Sequence, residues 1–367
     1  MPSPIQIFAG KTAYQHMQQH GLQAADIAVI PAAAGGPKGL ILQALDQWLF
    51  GEWLPSAPRE RTLIGASIGA WRMAAASCVD PVAAFERLGN LYCEQRYPAK
   101  PSAAYVTEVI QSLLQAFILG HEHEIVHQPL HRLQILANRG RGSLDMPDSV
   151  NQARLGFAHA ALSNLISRSR MAKHMERVII GDTRDPLFWL KARFDAFETH
   201  FCPLTENNLA PSLLASGTLP LVMQAVSHIP QAPAGSYWDG GMIDYHLELP
   251  YSRLAGSKEG ALVLYPHFSH QIIPGWLDKA LTWRRAGRGA HRHWVDNLIM
   301  VSPSASFLST LSRGKLPDRQ DFFYYDTDHE FRIQNWRLAI GESGRLRDAF
   351  AEFVRRPDLS IVQPLNF

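Results

Sequence analysis

Apolar residues in this chain gather into short unbroken runs bounded by turn residues, at 26–31, 62–65, 133–137, 177–181, 261–265 and 297–301. A strand that is apolar on both faces needs cover on both sides, which is the situation inside a parallel-rich sheet. Between these runs lie helical patterns, over 39–49, 69–78, 82–96, 103–119, 153–175 and 335–356. Their apolar positions return at the three- and four-residue spacing of a helix face. Strands alternating with helices predict an α/β fold with helices on both faces of the sheet. No repeat, low-complexity tract or linker divides the chain, so a single domain over 1–367 is expected, with a motif core at 24–265. A mainly helical insertion at about 80–130 either caps the strand ends or covers one sheet face, and an extension at about 302–367 follows the core. The aromatic segment 321–326 is expected as a strand or a buried loop.

Composition narrows the picture without naming a chemistry. Of 367 residues, 46% are hydrophobic and 19% charged, which excludes disorder and fibrous classes. Lys and Arg number 35 against 33 acids, a net charge of +2, too balanced for a protein that binds nucleic acid over its whole surface. The three cysteines, Cys78, Cys93 and Cys202, are scattered and odd in number, as expected in a reducing compartment. No apolar stretch reaches the ~18 residues of a membrane span. The first residues carry neither a basic nor an apolar leader region, so a cytoplasmic location is expected.

Chemistry enters at two glycine-rich turns. Gly65-Ala66-Ser67-Ile68-Gly69 fits G-x-S-x-G, with an apolar strand before it and an alanine-rich helix after it. A serine on a sharp strand-to-helix turn needs small neighbours, and the helix N-terminus favours negative charge there; the plainer reading is Ser67 as an N-cap. Upstream, Gly35-Gly36-Pro37-Lys38-Gly39 follows the first strong strand and opens a helix. It lacks the Ser/Thr of a phosphate loop and the spacing of a dinucleotide fingerprint. Amides aimed at a developing oxyanion suit it better, with a serine nucleophile one strand away. Downstream, Tyr237-Trp238-Asp239-Gly240-Gly241 places a carboxylate in a turn.

Together with Ala215-Ser216-Gly217-Thr218-Leu219-Pro220, these blocks run in order from Gly35 to Gly241. In that order and spacing the chain resembles the patatin-like phospholipases, or patatin-type lipid acyl hydrolases. The resemblance implies a three-layer α/β/α fold and a serine hydrolase of fatty-acyl esters of phospholipids or related lipids. It implies Ser67 as nucleophile and Asp239 as its base, with no catalytic histidine, cofactor or metal. The loop amides at Gly35, Gly36, Lys38 and Gly39 would form the oxyanion hole, with Gly65, Gly69, Gly240 and Gly241 supporting the turns. The chain departs from the family pattern at Ala70-Trp71-Arg72 and at Met242, Asp244 and His246. Trp71 is expected in the core, and Lys38 is expected to pair with a carboxylate at the sheet end.

Other constellations compete. A Ser-Asp-His triad esterase or thioesterase would recruit His246 or His267. His123-Glu124-Ile125-Val126-His127 spells H-E-x-x-H, a zinc-peptidase signature, with His121, His131 or a later carboxylate as a further ligand. Pro129 and Gly120 cut short the helix that signature needs. The stretch 279–293 holds Lys279, Arg284, Arg285, Arg288 and Arg292 without an acid, and could lie against an anionic membrane surface. A non-catalytic lipid-binding protein on the same fold is the remaining alternative.

Overall fold

The structure is a computed structural model that describes residues 2–147, 149–256 and 261–365. Ten strands form one sheet: β1 (Ile5–Ala9), β2 (Ile27–Ala32), β3 (Arg61–Ala66), β4 (His131–Gly140), β5 (Met175–Gly181), β6 (Thr199–Pro203), β7 (Tyr237–Asp239), β8 (Leu262–Pro266), β9 (Leu298–Pro303) and β10 (Val362–Pro364). Their order is β10-β1-β9-β8-β2-β3-β4-β5-β6, with β7 paired to β4. Six of the nine ladders are parallel. The all-buried faces of β3, β5, β8 and β9 explain why those runs are apolar without alternation. With helices on both faces, the chain is an α/β protein of three layers.

Each of the six expected strand runs falls on a strand, although β4 extends on through Asn138, Arg139 and Gly140. Strands β1, β6, β7 and β10 were not legible, being short, polar or edge elements. The helix expected over 153–175 is Val150–Ile166 and a separate turn, Arg168–Met171, after which Met175 begins β5. That expected over 335–356 is two helices, His329–Glu342 and Gly344–Arg355, broken at Ser343. The segment 321–326 is neither strand nor buried loop. Its helical turn Asp321–Tyr324 buries Asp321, which accepts from Trp336 Nε1 at 2.9 Å, while Phe323 is 87% exposed.

Two features of the topology place a site. Winding runs from β2 outward through β3 to β4, then returns to β8 and β9 on the other side of β2. The turn after β2 therefore lies at the switch point where α/β sheets bind ligands. Second, β4 shares one edge between two strands. Its residues 131–136 pair with β3, and residues 137–139 pair antiparallel with β7, while β5 holds the opposite edge. Strands β3 and β7 thus meet end to end, Ala66 opposite Leu136 and Asp239 opposite Ala137. The residue after β3 is Ser67, so the sheet register alone brings Ser67 to Asp239.

The segment after β7 is anchored by a buried ion pair. Arg177 on β5 donates through Nε and Nη2 to the two carboxylate oxygens of Asp244 at 2.6 and 2.9 Å, and through Nη2 to Asp195 at 2.7 Å. The paired acids hold Arg177 even more firmly protonated than an ordinary arginine, against the opposing effect of its burial. Asp244 is thereby engaged away from the Ser67 turn. Removing the guanidinium leaves a buried carboxylate uncompensated, so Arg177→Met is expected to lower unfolding stability by about 3–5 kcal/mol in urea titration.

Candidate functional site

Ser67 sits between β3 and the helix Ile68–Ala76 with φ 55° and ψ −131°, a strained conformation for a residue with a side chain. The turn closes tightly because of its glycines. A Cβ on Gly65 would lie 2.5 Å from Ala70 N, and one on Gly69 would lie 2.0 Å from Ala32 O at the end of β2. The helix start is thus pressed onto the carbonyl end of β2. Ser67 Oγ donates to Asp239 Oδ2 at 2.8 Å, with both side chains buried. The other oxygen, Oδ1, accepts from the Gly241 amide at 2.7 Å.

Ser216 locks the turn in place. Its hydroxyl donates to Leu136 O at 2.6 Å and accepts from the Ser67 amide at 2.8 Å, tying the strained residue to β4. Asn138 on β4 donates to Asp239 O at 2.7 Å and Gly240 O at 3.0 Å, and the Asp239 amide donates to Thr218 O at 2.8 Å. The two glycines after Asp239 are required by space. A Cβ on Gly240 would stand 2.2 Å from Leu136 O, and one on Gly241 2.7 Å from Ala34 Cβ. Glycine-loop, serine turn and aspartate turn therefore interlock at the ends of β2, β3 and β4.

The glycine loop runs from Gly35 into the 3₁₀ helix Gly36–Leu42. Gly35 packs against the Phe268 ring, where a Cβ would lie 2.4 Å from the nearest ring carbon, and Gly36 takes φ 58°. Amides at the start of a helix lack intrahelical partners and are free to bind an anion, Pro37 excepted because it has no N–H. Gly39 packs on Ile68, the residue after Ser67.

Two cavities meet here. One, of about 350 Å³, runs from Ser67 between apolar walls that include Trp71, Tyr92, Val106, Ile110 and Met223. Tyr92, Val106 and Ile110 come from the helices Pro81–Cys93 and Ala103–Ile118, so the 80–130 insertion does cover the strand ends. Trp71 is in the core, its Nε1 donating to Leu213 O at 2.9 Å, and it is also a cavity wall. The other cavity, of about 170 Å³, lies on the Asp239 side and is lined by Gly35, Lys38, Gly241, Lys279, Asp318 and Arg319 among others.

Burial pushes the Asp239 carboxyl above the ordinary carboxylate range, opposed by Arg319 and by the hydrogen bonds from Ser67 and Gly241. Lys38 is pulled below the ordinary lysine range, by burial first. It makes no ion pair among the described residues, contrary to expectation, because the nearby Asp318 is paired with Lys315 at 2.8 Å.

Several expected residues lie elsewhere. His246 and His267 meet edge to face with ring centroids 4.3 Å apart, but their Nδ1 atoms bond to backbone at Gln271 and Ser269. Burial lowers both, His267 to about 3. Neither touches Ser67 or Asp239, whose own partners are each other and the Gly241 amide, so a Ser-Asp-His chain does not form. His123 and His127 do share a face, on the short helix Glu122–His127, and both approach a later carboxylate, Glu206, at 2.8 and 3.3 Å, an exposed group whose three ligand atoms lie close enough to hold a metal ion. Glu124 turns away from them, to His121 and to the Val79 amide, and His131 is buried against Ala76 O. The arrangement lacks the general base of a zinc peptidase and lines neither cavity. In the basic stretch, Arg284 is bound by Asp278 at 2.9 Å and by Asn164 O, and Arg285 is only 6% exposed, donating to Gln271 and several carbonyls. Both are therefore turned inward, Lys279 lines the smaller cavity, and Arg288 and Arg292 remain on the surface.

Reasoning from sequence overlooked the tie made by Ser216, the support from Asn138, and Arg319. A polar residue continuing an apolar strand was the available signal for Asn138; Arg319 lies in an irregular segment with no pattern to mark it. No protein-family model matches the chain, and no curated protein matches it.

The raised Asp239 carboxyl has a stability consequence. Its protonated form suits the folded site, so the stability it contributes is present below the unfolded carboxylate value and lost as pH rises through the folded one. Asp239→Asn is expected to resist urea better than wild type at pH 7, with the advantage shrinking toward pH 4. A variant less stable than wild type at pH 7 would contradict the assignment.

Proposed function

We propose that the chain is a serine acyl hydrolase of the patatin type, cleaving fatty-acyl esters through Ser67 and Asp239. The observation that carries this reading is the 2.8 Å hydrogen bond from a strained Ser67 to a buried Asp239, at the mouth of an apolar cavity of about 350 Å³. The cavity can take an acyl chain. Val222 and Phe323, which line it, are 48% and 87% exposed, giving it an apolar rim suited to a lipid surface.

In the first half-reaction, Ser67 Oγ attacks the ester carbonyl as Asp239 takes its proton. Amides of the Gly35–Gly39 loop, excluding Pro37, hold the oxyanion, and the C–O bond to the alcohol breaks as Asp239 returns the proton to the leaving oxygen. Water then attacks the acyl-Ser67 ester by the same route and releases the fatty acid. A carboxylate with an ordinary value near ~4 is a weak base; burial of Asp239 strengthens it by favouring the proton-bound form. The described residues include no helix long and apolar enough to cross a membrane. A cytoplasmic enzyme that visits lipid from solution is the corresponding proposal, supported by three free, buried cysteines.

Ser67→Ala is expected to abolish p-nitrophenyl ester hydrolysis, and Asp239→Asn to lower kcat by about 10²–10⁴, the usual range for a general base. The acid limb of the wild-type rate profile should lie above the ordinary carboxylate range, because activity requires ionised Asp239. Wild-type turnover in Ser67→Ala would overturn the proposal.

A further inference from the structure

The acyl cavity leaves the smaller one unexplained. Its walls bring three cationic side chains, Lys38, Lys279 and Arg319, together beside Asp239 and the glycine loop. These come from three distant segments: the turn after β2, the end of the 3₁₀ turn Trp276–Asp278, and the irregular stretch before Asp321. Arg319 lies close enough to the loop that a Cβ on Gly36 would be 3.1 Å from its Nε.

Among the described residues none of the three is in an ion pair, and the one other acid on the cavity wall, Asp318, is already held by Lys315. Lys279 instead rests over the rings of Tyr245 and Trp276, its Nζ 4.2 and 5.4 Å from their centroids. Lys38 sits 5.7 Å from the Phe268 ring centre. Aromatic faces orient an ammonium without neutralising it. The cost of crowding these cations is visible in Lys279, pulled down to about 7 by burial first and then by Lys38 and Arg319.

We propose that this cavity is a subsite for a phosphomonoester carried on the alcohol portion of the substrate. The inference rests on the acyl-hydrolase reading, since it assigns the leaving group of that reaction. The two cavities share Leu219, Trp276 and Arg319 as common wall, and Ser67 opens on the apolar one while Asp239 opens on the cationic one. An ester bound across the Ser67–Asp239 pair would send its acyl chain one way and its alcohol the other. At about 170 Å³ the cationic cavity is half the volume of the other, and three cationic side chains share its wall with apolar residues such as Leu219, Met242 and Trp276. It suits a short phosphorylated alcohol, not a second acyl chain. A guanidinium and two ammonium groups on one cavity wall supply the donors and charge that the three terminal oxygens of a phosphomonoester require. The class is therefore a single-chain acyl ester of a phosphorylated polyol.

The test compares two soluble esters with the same eight-carbon acyl chain, a monoacylglycerol and its 3-phosphate. The proposal expects kcat/KM to be about tenfold or more higher for the phosphate ester, and that ratio to fall toward one in Lys279→Gln and in Arg319→Gln. Equal values for the two esters in wild type, or a preference that survives both substitutions, would overturn the subsite while leaving the hydrolase reading intact. Cleavage of neither ester would overturn the hydrolase reading instead. In that event calorimetry with glycerol 3-phosphate decides the subsite. Binding to wild type that is lost in Arg319→Gln supports it. Absence of binding, or inorganic phosphate bound equally well, overturns it.

Discussion

The shared edge of β4 is the constraint on which the site depends. One strand carries β3 along its first half and β7 along its second, running in opposite senses, so their ends abut. Ser67 and Asp239 lie 172 positions apart in the chain, yet their hydrogen bond follows from that register with no flexible element between them. Strand-held groups keep their relative position better than loop-held ones, which is what the proposed direct proton transfer from Ser67 to Asp239 would need. The Leu136 carbonyl marks the junction: Ser216 donates to it, and Gly240 passes so near that no side chain would fit.

Local strain at this junction is held by the packing around it. Ser67 is kept in a left-handed conformation by the bond its amide donates to Ser216 Oγ, by the glycines on either side, and by a helix whose nine residues are all buried. Behind that helix Arg72 makes a two-pronged bond to Asp46 at 2.7 and 2.8 Å, a further buried pair fixing its far side. Asp239 is also kept in an unfavourable state, a carboxylate whose burial is only partly relieved by Arg319, the hydrogen bonds from Ser67 and Gly241, and Lys279. Both features oppose stability, the exchange expected if, as proposed, the pair is preorganised as nucleophile and base.

How far the sequence revealed this can be seen residue by residue. Buried parallel strands were readable because both faces are apolar, and the Ser67 turn because its glycines are demanded by backbone contacts under 3 Å. Edge strands escaped notice: β10 has three residues and is half exposed, and β6 alternates weakly. The joining of Ser67 to Asp239 came only through resemblance, since nothing in the local pattern near Asp239 tells which strand it pairs with. Lys38 and Lys279 were visible as charges but not as neighbours. A charge run reports composition along the chain, whereas Arg284 and Arg285 turn inward to Asp278 and to carbonyls while Lys279 turns to the cavity. Long-range assembly of that kind, including the arrival of Arg319 beside Gly36, depends on tertiary packing and leaves no periodic trace.

The most direct measurement is mass spectrometry of the wild-type protein quenched within its first turnover of a p-nitrophenyl fatty-acyl ester. Formation of an acyl-enzyme predicts a burst of one p-nitrophenol per chain and an added acyl mass on the peptide containing Ser67. Ester hydrolysis that proceeds with no covalent adduct, or with the acyl group on another residue, would contradict it.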